Sequence, residues 1–169
     1  MFSGWRASFC IVPGSFRFPL HSSRAVLTQG SLVWILSLYN NLSASTKKQV
    51  ENLFRYGLEA YSDIRDMQSS FVDTQLSPSG DMHDIYASYI EKSDEGYNFW
   101  VALSGDEVVG CVGCVPHCRD SLELQRLSVA ESHRHFGLGK KLLGKMEKWG
   151  KERPFSRIML STLREMNLQ

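Results

Sequence analysis

A strand-like run, Leu124-Gln125-Arg126-Leu127-Ser128-Val129, leads through a short polar loop into Arg134-His135-Phe136-Gly137-Leu138-Gly139-Lys140, where a glycine-rich turn opens a helix. This order constrains the chain more than any other feature in it. A strand that ends at a helix N-terminus gathers backbone N–H groups without intrahelical acceptors at one point, and the helix dipole adds positive charge there. Gly137 and Gly139 leave that backbone uncovered, so phosphates can approach it closely. A helix has no need of two glycines beside its first turn, where each costs on the order of 0.5–1 kcal/mol. A ligand that uses the bare backbone accounts for them.

Two familiar nucleotide loops fail here. A Walker loop needs glycine where Arg134 stands and Ser or Thr where Lys141 stands. A dinucleotide-binding G-x-G-x-x-G needs a third glycine where Leu142 stands. What is present is R-x-x-G-x-G between a strand and a helix. Leu138, Leu142, Leu143, Met146 and Trp149 then recur at helical spacing, and Lys140, Lys141, Lys145 and Lys148 lie largely on the other side. Gly150 reads as a C-cap, and Ser156 to Ser161 as the next strand.

The 169 residues suit one domain with a core of its own, and 43% of them are apolar. A net charge of +1 argues against a dedicated nucleic-acid binder. That figure hides an asymmetry: residues 1–50 hold no Asp or Glu, and Arg6, Arg17, Arg24, Lys47 and Lys48 give them a charge of +5. A basic, serine-rich, acid-free start fits a transit peptide, a membrane-surface segment or a disordered tail. Its longest apolar patch, Leu32 to Tyr39, is far shorter than the ~20 residues that cross a bilayer, though shallow insertion is open to it. The expected division is therefore a poorly ordered or membrane-associated segment over 1–44 and a catalytic-type domain over 45–169.

Within that domain the pattern predicts a helix from Ser45 to Met67, with Val50, Leu53, Phe54, Leu58 and Tyr61 on one face. A turn at Ser77-Pro78-Ser79-Gly80 follows, and Ser79 is placed to cap a helix from Asp81 to Ile90. The stripe Met82, Ile85, Tyr86 and Tyr89 reads as core packing, with a substrate-lining role for the tyrosines as the alternative. Strands are expected over Tyr97 to Leu103, Glu107 to Val115 and Leu122 to Val129, the first two joined by a hairpin turn at Gly105-Asp106. The result is a mixed α/β domain, antiparallel at first, with one crossover helix. Cys111, Cys114 and Cys118 lie with His117 in a cluster too compact for the usual zinc pattern. Strand alternation points Cys111 and Cys114 to opposite faces, so buried small hydrophobes are expected and no metal.

The R-x-x-G-x-G turn, with L-x-R-L-S-V before it and a helix after it, resembles the GNAT superfamily of acyl-CoA-dependent N-acetyltransferases. Asp81-Met82-His83-Asp84-Ile85, Phe99-Trp100-Val101-Ala102 and Val108-Val109-Gly110 come in the order seen in camello-type members, which include N-acetylaspartate synthetase. The resemblance covers about residues 70–165. It implies the acyl-CoA N-acyltransferase fold, acetyl-CoA as donor with no metal, and a small-molecule or peptide amine as acceptor: an amino acid, a cysteine conjugate or a protein lysine. It also implies attachment to the endoplasmic reticulum membrane, with cytoplasmic or mitochondrial placement as alternatives. Family members continue with a further helix and a strand pair, so the fold is expected to be incomplete at the C-terminus. A shortened, catalytically impaired form that binds CoA or a partner is the competing expectation.

Site residues follow from the same resemblance. Leu127, Ser128 and Val129 would line the donor, with the Val129 main chain bonded to the coenzyme at a bulge. Arg134, His135, Phe136, Gly137, Leu138, Gly139 and Lys140 would wrap the pyrophosphate. Glu123 aligns with the glutamate base of the histone-acetylating branch. Ser128 and His133 are weaker candidates for proton transfer, and His117 weaker again.

Overall fold

Alternating apolar residues along the central strands build a sheet that is covered on both faces. The computed structural model describes residues 6–11, 26–28, 31–37, 43–59 and 65–163. In chain order these form β1 (Arg6–Ile11), β2 (Val26–Thr28), β3 (Ser31–Ser37), α1 (Ala44–Glu59), α2 (Arg65–Leu76), β4 (Asn98–Ser104), β5 (Glu107–Cys118), β6 (Ser121–Val129), α3 (Leu138–Lys151) and β7 (Arg157–Leu163). Among the described residues the seven strands make one sheet in the order β1-β7-β6-β5-β4-β3-β2. All neighbours are antiparallel except β6 and β7, which α3 joins as a parallel crossover.

Each face has its own core. Trp100, Ala102, Val112, Cys114, Leu122 and Leu124 point to α3 and meet its stripe of Leu138, Leu142, Met146 and Trp149. Their chain neighbours Phe99, Val101 and Cys111 point the other way, onto Val50, Leu53 and Phe54 of α1, Val72 of α2, and Met82, Ile85 and Tyr89. The period of two in the strands and of 3.6 in the helices thus meets in two apolar layers. Cys111 and Cys114 lie buried on opposite faces, as alternation predicts.

Several elements differ from the sequence expectation. α1 ends at Glu59, and α2 runs on to Leu76, past the expected end at Met67. Val72 and Leu76 supply its packed side, while Ser69, Ser70, Asp73 and Thr74 are weak helix formers that hid it. The helix expected from Asp81 is a turn followed by one π-helical turn at Tyr86–Ile90. Just before it, Asp84 Oδ1 accepts the Ala87 N–H at 3.1 Å, whereas the Ser79 hydroxyl pairs with that of Ser77. Gly150 is no C-cap: α3 continues to Lys151, and Gly150 is buried where a Cβ would come within 3.2 Å of Leu122. The apolar patch from Leu32 is strand β3, paired with β4 from Val33↔Ser104 to Ser37↔Trp100. Its continuous apolar run carries no alternation, and so it gave no strand period to read.

The loop before β4 is fastened to α3 at Gly96. Its carbonyl accepts the Trp149 indole N–H at 3.0 Å, and its φ of +105° lies in the region that favours glycine. A Cβ there would sit 2.7 Å from the Phe155 ring. Gly96→Ala is expected to lower unfolding stability by about 2–3 kcal/mol in urea denaturation. Gly105→Ala, at φ +61° with nothing within 4 Å, should cost only about 1 kcal/mol.

Candidate active site

β6 and β7 share a ladder only from Ser121↔Arg157 to Leu124↔Leu160. β6 then runs on to Val129 without β7 beside it in register, while β7 continues to Leu163 paired with β1. The two parallel strands therefore form a fork whose closed end is pinned by Asp120. Its carboxylate takes the Arg157 guanidinium at 2.6 and 2.7 Å, and its carbonyl accepts the Ser156 and Arg157 N–H groups. The Arg157 hydrogen bond holds the Asp120 carboxyl below the usual carboxylate range.

A β-bulge marks the point where the fork opens. Cys111 pairs with Ser128 and Gly113 with Gln125, so Arg126 and Leu127 face Val112 alone. Arg126 has φ +55°, a conformation that glycine usually supplies in such bulges. Its side chain turns to the face of α1 and α2. Nε and Nη2 donate to the two oxygens of Asp81, each at 2.9 Å, and Nη2 also reaches Gln75 Oε1 at 2.8 Å. The guanidinium lies over the rings of Phe54 and Phe71, 5.4 and 5.2 Å from their centroids. Tyr89 donates its phenol O–H to Asp81 Oδ2, and the Cys111 thiol donates to the Arg126 carbonyl at 3.3 Å.

Beyond the bulge the other expected donor-site residues come together. Val129 faces Gly139, with 3.8 Å from Val129 Cγ2 to where a Gly139 Cβ would be. A short 3-10 turn at Glu131–His133 leads into the loop, where His135 (φ +65°) and Gly137 (φ +75°) both take left-handed conformations. Gly137 is the N-cap of α3 and offers no side chain to bond the helix's first N–H groups. The Leu138 and Gly139 N–H groups therefore point out of the helix end. Leu138 itself is buried in the core, His135, Phe136 and Lys140 are exposed, and Arg134 folds back so that Nε donates to the Val129 carbonyl at 3.2 Å. Leu127 is exposed at the fork. Ser128 is buried, its hydroxyl directed at Gly57 of α1, so only its main chain is available on the donor side.

On the opposite face a cleft of about 580 Å³ opens beside the bulge, with Asp81, Tyr89, Lys92, Tyr97, Gln125 and Arg126 in its wall. Tyr89 is thus both core and lining, whereas Tyr86 is exposed. Burial, then the Asp81 charge, pushes the Tyr89 phenol well above its ordinary value. Glu123 lies on this face too, in the paired part of β6, with its carboxylate 3.5 Å from His117 Nδ1. The His133 ring pairs through Nδ1 with the hydroxyl of its neighbour Ser132 at 2.9 Å, its main-chain N–H bonds the Ala130 carbonyl, and the residue is not in the cleft wall. Sequence reasoning missed Gln75 and the joint role of Asp81 and Arg126. Both charged residues stand in the motifs D-M-x-D-I and L-x-R-L-S-V, but nothing in the linear order links two positions 45 residues apart.

A sheet with a forked parallel pair, a crossover helix and a glycine turn at its start is the architecture of an acetyltransferase. An acetyltransferase from Streptococcus agalactiae 2603 matches it with a TM-score of 0.61 at 21% identity, over 80% of this chain and 76% of that one. The PaiA N-acetyltransferase from Thermoplasma acidophilum, solved in complex with coenzyme A, matches with a TM-score of 0.55 at 19% identity, over 71% and 72%. The model of the acetyltransferase (GNAT) family matches residues 61–169, and the chain belongs to that family. N-acetyltransferase 8 of Rattus norvegicus is 39% identical over 87 residues, 48% of this chain and 38% of the relative. The probable N-acetyltransferase camello of Xenopus tropicalis is 37% identical over 109 residues, 63% of this chain and 45% of the relative. The chain therefore spans less than half the length of these curated relatives.

Burial pushes the Cys111 and Cys114 thiols up to about 12, whereas Cys118 is exposed. A thiol reagent at pH 8 is expected to label Cys118 in the native protein and to spare Cys111 and Cys114, as read by peptide mass mapping. Fast labelling of Cys111 would mean that the bulge opens.

Proposed function

We propose that this domain binds acetyl-CoA at the turn Arg134–Lys140 and moves the acetyl group to a primary amine held in the cleft on the other face. One observation carries the reading: β6 leaves β7 at a bulge that lies between a turn suited to a diphosphate and a polar cleft. Family membership supports it. So does the room at the turn, since a Cβ at Gly137 would meet nothing within 4 Å and one at Gly139 only Val129. Helix N–H groups and the dipole of α3 would hold the diphosphate, with Lys140 adding charge. Leu127 and Val129 would flank the pantetheine arm as it enters the fork. A main-chain N–H at Val129 would bond the thioester carbonyl and the oxyanion that forms from it.

The chemistry then needs a neutral amine. A lysine-like amine with pKa about 10.4 costs on the order of 4–5 kcal/mol to deprotonate at pH 7. Glu123 accepts that proton through water in the cleft, and His117 beside it passes charge to solvent. The neutral amine nitrogen attacks the thioester carbon, the C–S bond breaks, and the proton that the nitrogen sheds as the amide forms passes through water to the departing thiolate. The acceptor is left at the level of a primary amine of a small molecule or peptide. A membrane position for the whole protein belongs to the same proposal; among the described residues no helix is long and apolar enough to cross a bilayer.

Calorimetric titration with acetyl-CoA, followed by labelled transfer to a panel of amines, tests the reading. Gly139→Val should weaken coenzyme binding at least tenfold while shifting the melting temperature by only a few degrees, because the residue packs against little else. Undiminished titration by that variant would refute the turn assignment. Glu123→Gln should lower kcat by about 10²-fold and leave coenzyme affinity unchanged. An unaltered kcat would remove Glu123 from the mechanism.

A further inference from the structure

Arg126 holds a backbone conformation that arginine seldom adopts, at the place where the two strands part. Glycine would adopt φ +55° without strain, so the side chain must serve an end that the bulge alone does not explain. That side chain is held at several points: both Asp81 oxygens, Gln75 Oε1 and two aromatic rings fix it. A planar guanidinium bonded at two points to one carboxylate has a fixed orientation, and it carries its own Cα with it. Asp81 is in turn fixed by the Tyr89 phenol, which burial keeps protonated, and by a short loop: the Met82 N–H bonds the Gln75 carbonyl at 3.1 Å. From within the sheet the Cys111 thiol holds the Arg126 carbonyl. The bulge is thus gripped from the cleft wall and from β5, and left open on the side of the fork.

We infer that Asp81, acting through Arg126, is a positioning residue that sets the β6 bulge so that the N–H groups beyond it face the donor's thioester carbonyl. The inference rests on the proposed function. It adds that the turn after α2, which walls the acceptor cleft, also determines how the donor carbonyl is held on the opposite face. The diphosphate turn is held by different contacts: Leu138 is seated in the core at the start of α3, and Arg134 Nε donates to the Val129 carbonyl. Two parts of one ligand therefore depend on different residues: the diphosphate on the turn, the acetyl carbonyl on the bulge.

Titrating the intact chain with CoA and with acetyl-CoA separates them, since only acetyl-CoA has the carbonyl. The wild type should bind acetyl-CoA more tightly than CoA. Asp81→Asn, which keeps the shape and removes the charge, should reduce that preference five- to tenfold while CoA affinity stays within twofold. Arg126→Gly, which relieves the strain but cuts the tether, should give the same loss. The double variant should be no worse than either alone, because both substitutions break one linkage. Failure of the wild type to bind CoA would overturn the proposed function instead. The positioning role is overturned by three results: CoA binding without preference in the wild type, an unchanged preference in Asp81→Asn, or an equal loss of affinity for both ligands with a lowered melting temperature. Additive effects in the double variant would also overturn it, since Asp81 would then act independently of Arg126.

Discussion

β6 has neighbours on both sides for its first four residues and on one side only thereafter, and the working end of the molecule depends on that change. A strand whose backbone groups lose their partners must satisfy them elsewhere or face water. Here the loss coincides with a bulge, so the strand turns its unpaired groups into the fork rather than against a neighbour. The closed end is kept closed by Asp120, which fixes the parallel register through Arg157 and two main-chain N–H groups. At the open end β7 runs on to Leu163 along β1, which lies on its other edge from Arg6↔Leu163 to Ile11↔Ile158, while its ladder to β6 stops at Leu160. A parallel pair pinned at one end and drawn apart at the other leaves a cleft in the sheet itself.

The two cores decide what stands at that cleft. α3 is seated by Leu138, Leu142, Met146 and Trp149, and the Trp149 ring meets Trp100 edge-on at 5.9 Å. Because Leu138 is both the first residue of α3 and part of this core, the helix N-terminus cannot drift from the end of β6. On the other face Gln49 of α1 bonds the β4–β5 turn at Asp106 and Val108, which fixes α1 across the sheet. α1 then brings Phe54 under Arg126 and Gly57 against Ser128. Apolar packing, with a few polar ties at element ends, thus places a helix terminus on one side of the bulge and an ionic cluster on the other.

How much of this the sequence disclosed follows from the range of each signal. β4, β6, β7 and α3 were legible within a residue or two, and β5 except for its last three residues, since period-two and period-3.6 patterns are local and each element buries one clear face. The glycine turn was legible because glycines beside a helix start have few structural uses. α2 escaped notice because packing, rather than propensity, stabilises it. β1 owes its strand to β7 at the other end of the chain, and no local pattern announces such pairing; β2 pairs with its chain neighbour β3, in a stretch without periodic signal. The motif placed Gly137, Gly139, Leu127 and Val129 beside one another in the chain, and the structure adds that the buried Ser128 directs its hydroxyl at Gly57. The Asp81–Arg126 linkage could not be read, because an ion pair between two segments exists only after both have folded onto the sheet.

In the reaction proposed above, the acid–base side follows a different logic from the donor side. Glu123 lies two residues before Gln125 on the same face, a separation of about 7 Å along an extended strand. Its carboxylate is directed to His117 and not into the cleft. A base at that remove cannot take a proton from the amine in one step, since direct transfer needs heavy atoms within about 3.2 Å. The proton must cross through water, and a polar cleft walled by Tyr89, Tyr97 and Gln125 suits such a chain. Relay through water relaxes the demand on the base. On that proposal the base need not touch the acceptor, so acceptors of different length could use the same glutamate, whereas the donor would have to be held to within a bond length. That asymmetry accounts for the distribution of order in the site: strain, an ion pair and two rings are concentrated on the bulge, while Glu123 has a half-exposed histidine for company.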